Sequence, residues 1–249
     1  MKRYELNREQ WRRIEPFIPG KIGDRGRHGA DNLLFINGVL WVLRSGAHWH
    51  DLPERYGKWK TAHKRFTRWA QAGIWEKIFD VLTEDPDNQY IMIDSTIVRA
   101  HQQAACGKGG PRREALGRSR GGLSTKIHMC VDASGRPLRF ILTGGQCNDC
   151  TQALDLISGF RPSHVLADKG YDSDNILDAI ASMKAVPVIP PRSNRKIRRT
   201  YDREIYKCRN IIERTFNKLK HWRRLSTRYD RKVIYFSAFI HLAAATLWL

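Results

Sequence analysis

The sequence predicts a mixed α/β sheet covered by helices and preceded by a small all-α domain. Three observations carry this. Apolar residues recur at helical intervals up to about residue 83. After about residue 88 the pattern changes to β-rich runs, first a hairpin group and then strands alternating with helical segments. Between them "TEDPDN", residues 83–88, has the composition of a linker. The expected division is a helical domain over 1–83 and an α/β domain over 88–249.

In the first domain, "NREQWRRIEPFI" spaces Trp11, Ile14 and Ile18 as one helical face, with Asn7 as its N-cap. "GKIGDRGRHG" reads as a basic, Gly-rich loop. "DNLLFINGVLWVLRSG" is a second helix between Asp31 and Gly46, a capping acid and a stop signal. After a turn at "HWHDLPERYG", "KWKTAHKRFTRWAQAG" and "IWEKIFDVLTE" form two more helices, broken at Gly73. The first of these puts Trp59, Ala62, Phe66 and Trp69 on one face, with Lys58, Lys60, Lys64, Arg65 and Arg68 mostly off it. An apolar stripe backed by cations suits a helix laid on DNA, with the aromatics as core. A plain basic surface helix has the same pattern.

In the second domain, "QYIMIDSTIVRAH" is a strand and "AACGKGGPRREALGRSRGG" a Gly/Arg loop. "LSTKIHMCVDASGRPLRFILTG" is a hairpin turning at Asp-Ala-Ser-Gly. "CTQALDLISGF" reads as a helix, "SHVLADKGYD" as a strand ending in a turn, "SDNILDAIASM" as a helix and "AVPVIPP" as a last strand. The terminal "VIYFSAFIHLAAATLWL" is an apolar run of 17 residues. A membrane span needs roughly 20, so this is expected to be a buried helix.

The charge narrows the function. Lys plus Arg number 44 against 25 acids, a net +19 in 249 residues. Such an excess suits a polyanionic partner, because cationic side chains release the counterions condensed on phosphates. An anionic membrane is disfavoured, since the basic residues are scattered rather than confined to one amphipathic helix. "MKRYELNREQW" has no apolar segment of a secretory signal after it. Five cysteines, an odd number, fit a reducing cytoplasm. Cys147 and Cys150 form a lone C-x-x-C without the second pair that zinc requires, and read as ordinary thiols.

Three carboxylates stand out by position. Asp94 lies inside an apolar strand, where a lone acid is costly unless compensated. Asp168 ends a strand that runs into a Gly turn, where ligands favour α/β sheets. Glu213 lies in "YKCRNIIERTFNKLK", which read as one helix aligns Tyr206, Arg209, Glu213, Asn217 and Lys220 as a polar stripe. Three such acids suit two Mg²⁺ ions held by hard oxygen ligands, a clamp for in-line phosphoryl displacement. Arg209 and Lys220 would then contact phosphates. Singly, each acid has a structural reading: a hydrogen-bond acceptor in a strand, or a surface pair on a helix.

These segments resemble a known family. The spacing of Tyr206, Arg209, Glu213 and Lys220 is similar to the motif around the third acid of bacterial insertion-sequence transposases of the DDE type. "MIDSTIVRAH" and "LADKGYDS" resemble the segments around their first and second acids, and "GRSRGGLSTKIH" and "RRLSTRYD" are also family-like. "GVLWVLRSGAHWHDLPERYGKWKTAHKRFTRW" resembles the helical domain of the insertion-sequence-five (IS4/IS5-like) family. The resemblance implies a ribonuclease H-like catalytic fold, Asp94, Asp168 and Glu213 as the catalytic, metal-binding triad, and two Mg²⁺ ions, with Mn²⁺ as a substitute. It implies cutting and joining of double-stranded DNA, at terminal repeats and target, by a homodimer assembled on DNA in the bacterial cytoplasm and nucleoid. Tyr206, Asn217, Arg209 and Lys220 would touch DNA. So would Lys64, Arg65 and Arg68, and the basic run holding Arg195, Lys196, Arg198 and Arg199. The short spacing from Asp168 to Glu213 leaves no room for a large inserted domain. Asp132 and Asp172 are second-rank acids. The triad alone fits equally a metal-dependent nuclease that cuts without joining; three intact acids argue against the other alternative, an inactive transposase-derived DNA-binding protein.

Overall fold

The structure is a computed structural model that describes residues 4–21, 23, 24, 28, 29, 31–84, 89–106, 109–196 and 199–249, with Cys106 described by its backbone alone. Residues 85–88 of the expected linker lie outside the described residues. In chain order the elements are α1 (Arg8–Ile14), α2 (Asn32–Ser45), α3 (Trp59–Gln71), α4 (Ile74–Leu82), β1 (Tyr90–Ala100), α5 (Gly110–Arg113), β2 (Gly117–Ser119), β3 (Gly122–Val131) and β4 (Pro137–Gly144). There follow α6 (Ala153–Ile157), β5 (His164–Leu166), α7 (Asp174–Ser182), β6 (Val186–Val188), α8 (Arg203–Lys207), α9 (Asn210–Lys220), α10 (Arg223–Ser226) and α11 (Val233–Ala245). The chain forms two compact units, Met1–Glu84 with Leu219–Leu249, and Asp85–Lys218.

The first unit is helical, and its boundaries follow local chemistry. Asn7 and Gln10 form a reciprocal capping box at the start of α1. Asp31 accepts from Leu34 N at 2.8 Å before α2, and Gly46 ends that helix in the left-handed conformation (φ 70°). Gly73, also left-handed, separates α3 from α4. Ala62, Phe66 and Trp69 of the predicted stripe are buried. In packing, residues 219–249, expected within the domain over 88–249, group with this helical unit. α11 is buried on nearly every side, and Phe239 stacks on Phe66 with ring centroids 4.4 Å apart. A helix apolar all round needs apolar neighbours all round, and α3 and α4 supply them. Chain continuity, the guide available from sequence, does not register such a return. Among the described residues no helix is long and apolar enough to cross a membrane.

The second unit is built on a mixed sheet. β3 lies antiparallel to β1 from Met92↔Val131 to Arg99↔Ser124. β4 and β2 share the other edge of β3, pairing with its two ends in turn. On its far side β1 pairs in parallel with β5, and β5 with β6. The order β4-β3-β1-β5-β6, with β3 antiparallel to β1, is the ribonuclease H-like arrangement. Ile91, Met92, Ile93, Val165 and Leu166 are fully buried at its centre, as the near-continuous apolar runs of β1 and β5 require.

The β3–β4 turn positions the helix that carries the third acid. Gly135 takes φ 80°, and a Cβ there would lie 2.7 Å from Ile211 Cγ2 and 2.9 Å from Thr215 Oγ1. Thr215 Oγ1 donates to Gly135 O at 2.7 Å. The absence of a side chain lets α9 sit directly on the turn.

Candidate active site

Register brings the two aspartates side by side. Met92 on β1 is the parallel partner of Leu166 on β5. Asp94 and Asp168 each lie two residues further on, Asp94 within β1 and Asp168 just past the end of β5, at matching levels along the two adjacent segments. Asp168 caps a 3₁₀ turn over Lys169–Tyr171, its Oδ1 accepting from Gly170 N at 2.8 Å. Asp94 Oδ1 accepts from Ser95 N at 2.8 Å. Burial raises the Asp94 carboxyl above its ordinary value and the charge of Asp168 adds to this, while the Ser95 amide and Arg209 pull it down without cancelling the rise.

The third acid reaches this pair through an arginine. The stretch expected as one helix is two: α8 ends at Lys207 and α9 begins at Asn210. The break is tightened by i→i+3 bonds, Arg209 N to Tyr206 O at 3.0 Å and Ile212 N to Arg209 O at 3.2 Å. Arg209 sits in the break. Its Nη1 donates to Asp94 Oδ2 at 2.8 Å and its Nη2 pairs with Glu213 Oε1. Burial works against its charge, but Asp94, Tyr206 and Glu213 outweigh it and raise its pKa. Glu213 stands in the first turn of α9, where the helix dipole favours an anion. Among the described residues no group of three or more His, Cys, Asp or Glu side chains is close enough to hold a metal ion. The Arg209 guanidinium lies between Asp94 and Glu213 instead. The donor set still fits a hard divalent cation: carboxylate oxygens, two of them at matching levels of adjacent strands β1 and β5, with a cation already drawn between the first acid and the third.

The remaining sequence-predicted residues divide by what they touch. Tyr206 is half-buried, edge-on to Tyr201 at 5.4 Å. Asn217 is exposed on α9, and Lys220, at its end, is half-buried with a pKa lowered by burial. Lys64 and Arg68 are exposed. Arg65 is engaged within its own unit, its guanidinium over Phe35 at 4.4 Å and Trp69 at 4.7 Å and bonded to Asn32. Arg195 and Arg199 both pair with the buried Asp172, at 3.0 and 2.8 Å, and Arg195 also with Asp174 at 2.6 Å. Burial tends to raise the Asp172 carboxyl, yet these arginines and the Arg192 amide hold it below its usual value. Lys196 is exposed, and Arg198 lies outside the described residues. Asp132 is the hub of the β3–β4 turn, accepting from Ser134 N, Arg136 N and Arg136 Nε. Both second-rank acids therefore have structural partners.

A polar group beside the acids escaped sequence reading. Ser95 Oγ donates to Asp149 Oδ1 at 2.6 Å, and Lys126 Nζ donates to the same oxygen at 2.8 Å. Burial raises the Asp149 carboxyl less than these two bonds lower it. His128, directly opposite Ser95, is buried and its pKa is pushed down to about 4. The 3₁₀ turn holding Asp149 packs on the turn holding Tyr171. Tyr171 is 1% exposed and its hydroxyl has no hydrogen-bond partner among the described residues. Burial pushes that hydroxyl far up, and Asp94, Asp149 and Asp168 push it the same way. The available signal was alternation along the strands: Ser95 shares a face with Lys126 and His128, all polar in an apolar setting. Cys147 and Cys150, flanking Asp149, are free thiols.

The chain is similar to known proteins. Residues 85–249 match the family model "Transposase DDE domain", and residues 6–79 match "Putative transposase of IS4/5 family". A Sinorhizobium fredii protein, y4sN, is 44% identical over 115 residues, 45% of this chain and 87% of its own. "Putative transposase for insertion sequence element IS6501" of Brucella ovis is 43% identical over 129 residues, 51% of this chain and 99% of its own. Among solved structures, a piggyBac transposase synaptic complex with hairpin DNA aligns with TM-score 0.43 at 16% identity, covering 78% of this chain and 50% of that one. The Mos1 mariner transposase catalytic domain aligns at 0.28 and 9% identity, covering 67% and 89%. The family match spans the whole β-sheet unit and all three acids, and this chain belongs to the transposase DDE domain family.

Proposed function

We propose that Asp94, Asp168 and Glu213 are the catalytic carboxylates of this transposase and hold divalent metal, Mg²⁺ by preference, while it cuts double-stranded DNA at insertion-sequence ends and joins them to a target. The observation that carries the reading is the in-register pairing Met92↔Leu166, two residues before Asp94 within β1 and before Asp168 just past β5. Metal held by such oxygens supplies positive charge to the attacking and leaving oxygens of a phosphodiester. The chain's own residues do the rest. Arg209 keeps the acids apart from one another and neutralised before DNA arrives. Tyr206 offers a ring edge and face for a base or sugar beside the acids. Asn217, Lys196, Lys64 and Arg68 are exposed and available to phosphates. Pairing of two DNA ends calls for two copies of the chain.

The test is a cleavage and strand-transfer assay with Mg²⁺ and a labelled duplex carrying the ends of the element. Wild-type protein is expected to give cut and joined products, and Asp94→Asn and Glu213→Gln to give neither while still binding DNA. Joined products from either variant would remove that acid from the chemistry. Cutting without joining would make the protein a nuclease.

A further inference from the structure

The Gly/Arg segment that carried no role in the sequence forms, with β1, a basic cleft in the second unit. β2 and β3 turn on each other at Ser119↔Gly122, which brings Arg118 and Arg120 beside Arg99 of β1. Together with Ile97, Gly121 and Gln146 they line a cleft of about 530 Å³. The walls are built with close backbone approaches. A Cβ on Gly145 would lie 2.0 Å from Ser124 Oγ, and one on Gly117 would overlap the Gln146 amide. Ser124 Oγ donates to Ser119 Oγ at 2.9 Å, which ties the two strands together beneath the arginines.

Two features distinguish this cleft from a generally basic surface. Among the described residues no carboxylate lines it. Arg99, Arg118 and Arg120 are exposed, and among the described residues none makes an ion pair or a hydrogen bond through its side chain. Three uncompensated guanidinium groups around one concavity repel each other, and an anion with several acceptor oxygens relieves that. Guanidinium forks fit phosphate oxygens in pairs, and the exposed Ile97 beside them offers apolar contact to a sugar.

We infer that this cleft binds the phosphate backbone of DNA, at a segment other than the one that reaches the acids. The inference rests on the proposed function for its ligand class. The separation from the acids rests on distance along β1, where Arg99 and Asp94 both lie. Arg99 is five residues along from Asp94, about 17 Å at a strand rise of ~3.4 Å per residue.

The experiment measures the salt dependence of binding to a labelled 30-base-pair duplex by the full chain, without metal. Arg118→Ala/Arg120→Ala is compared with wild type, with Asp94→Asn, and with Arg161→Ala/Lys184→Ala. That last pair removes equal charge just before β5 and β6, at the opposite end of the parallel strands. Each lost phosphate contact lowers the log–log salt slope by about 0.9, so the cleft variant should lose about 2 from the slope and the other two variants nearly nothing. An unchanged slope for the cleft variant, or an equal fall in the control, overturns the inference. Circular dichroism checks that the variants fold, and Arg118→Gln/Arg120→Gln repeats the comparison with longer polar side chains if the alanines do not. Because no cleavage is read, failure of the proposed chemistry leaves this result standing, and the reverse holds too.

Discussion

Arg209 and Asp94 are joined at 2.8 Å although they are 115 positions apart in the chain, and the same guanidinium holds Glu213. A metal ion at these carboxylates competes with that guanidinium. Arg209→Leu should therefore lower the stability of the metal-free protein by about 2 kcal/mol, between the values for exposed and buried pairs. Added Mg²⁺ should then raise the melting temperature of the variant more than that of wild type. Equal shifts in a melting series against Mg²⁺ would show that Arg209 and metal do not compete.

Asp94 carries the opposite signature. Its folded pKa is raised, so its contribution to stability is complete below the unfolded value of about 4 and is lost as pH rises through the folded value. Asp94→Asn should be inactive, yet at neutral pH and without metal at least as stable as wild type. Its stability should also fall less between pH 4 and pH 7. Melts in metal-free buffer across that range decide; a variant that is less stable at pH 7 contradicts the direction.

Acid should act through His128 and His241. Burial pushes both down to about 4, so the folded state keeps them neutral while the unfolded chain protonates near 6.5. Stability held above pH 6.5 is lost as pH falls toward 4, at roughly 1 kcal/mol per pH unit for each group. His128→Gln should flatten part of that slope in denaturant titrations at several pH values.

Tyr171→Phe removes a buried hydroxyl that has no partner among the described residues. Replacing an unsatisfied polar group by an apolar one of the same shape should leave stability unchanged or higher by about 1 kcal/mol. A lower urea midpoint would mean the hydroxyl is bonded in solution.

Gly135→Ala should destabilise by about 2 kcal/mol, since an L side chain is strained at φ 80° and meets Ile211 and Thr215. Because the turn seats α9, activity should fall more than foldedness. A variant as active as wild type would show that α9 is placed by other contacts.

What sequence made legible follows from range. Asn7, Asp31 and Gly46 act on residues three or four away, and the structure uses them as caps. Asp94 and Asp168 could be chosen because strand pattern and strand end are also local cues. Partnership is not local. Nothing near Arg195 or Arg199 indicates that both turn inward to Asp172 rather than outward to a phosphate. Nothing near residue 219 marks the return of the chain to the helical unit. Asp149 was hidden by the cysteines around it, and its bond to Ser95 spans 54 positions.

That return sets an order of events during synthesis. Phe66 and Trp49 lie in the N-terminal third of the chain, yet Phe239, which stacks against both, comes near its end. At ~5–20 residues per second the ribosome needs about ten seconds or more to make what lies between. Throughout that interval the aromatic surface of the helical unit lacks α11, and the intervening β-sheet unit is completed only toward its end. At that point a nascent chain of this protein carries a finished catalytic fold beside an unfinished, sticky neighbour. Chaperone binding should concentrate on α3 and α4 and cease once α11 emerges.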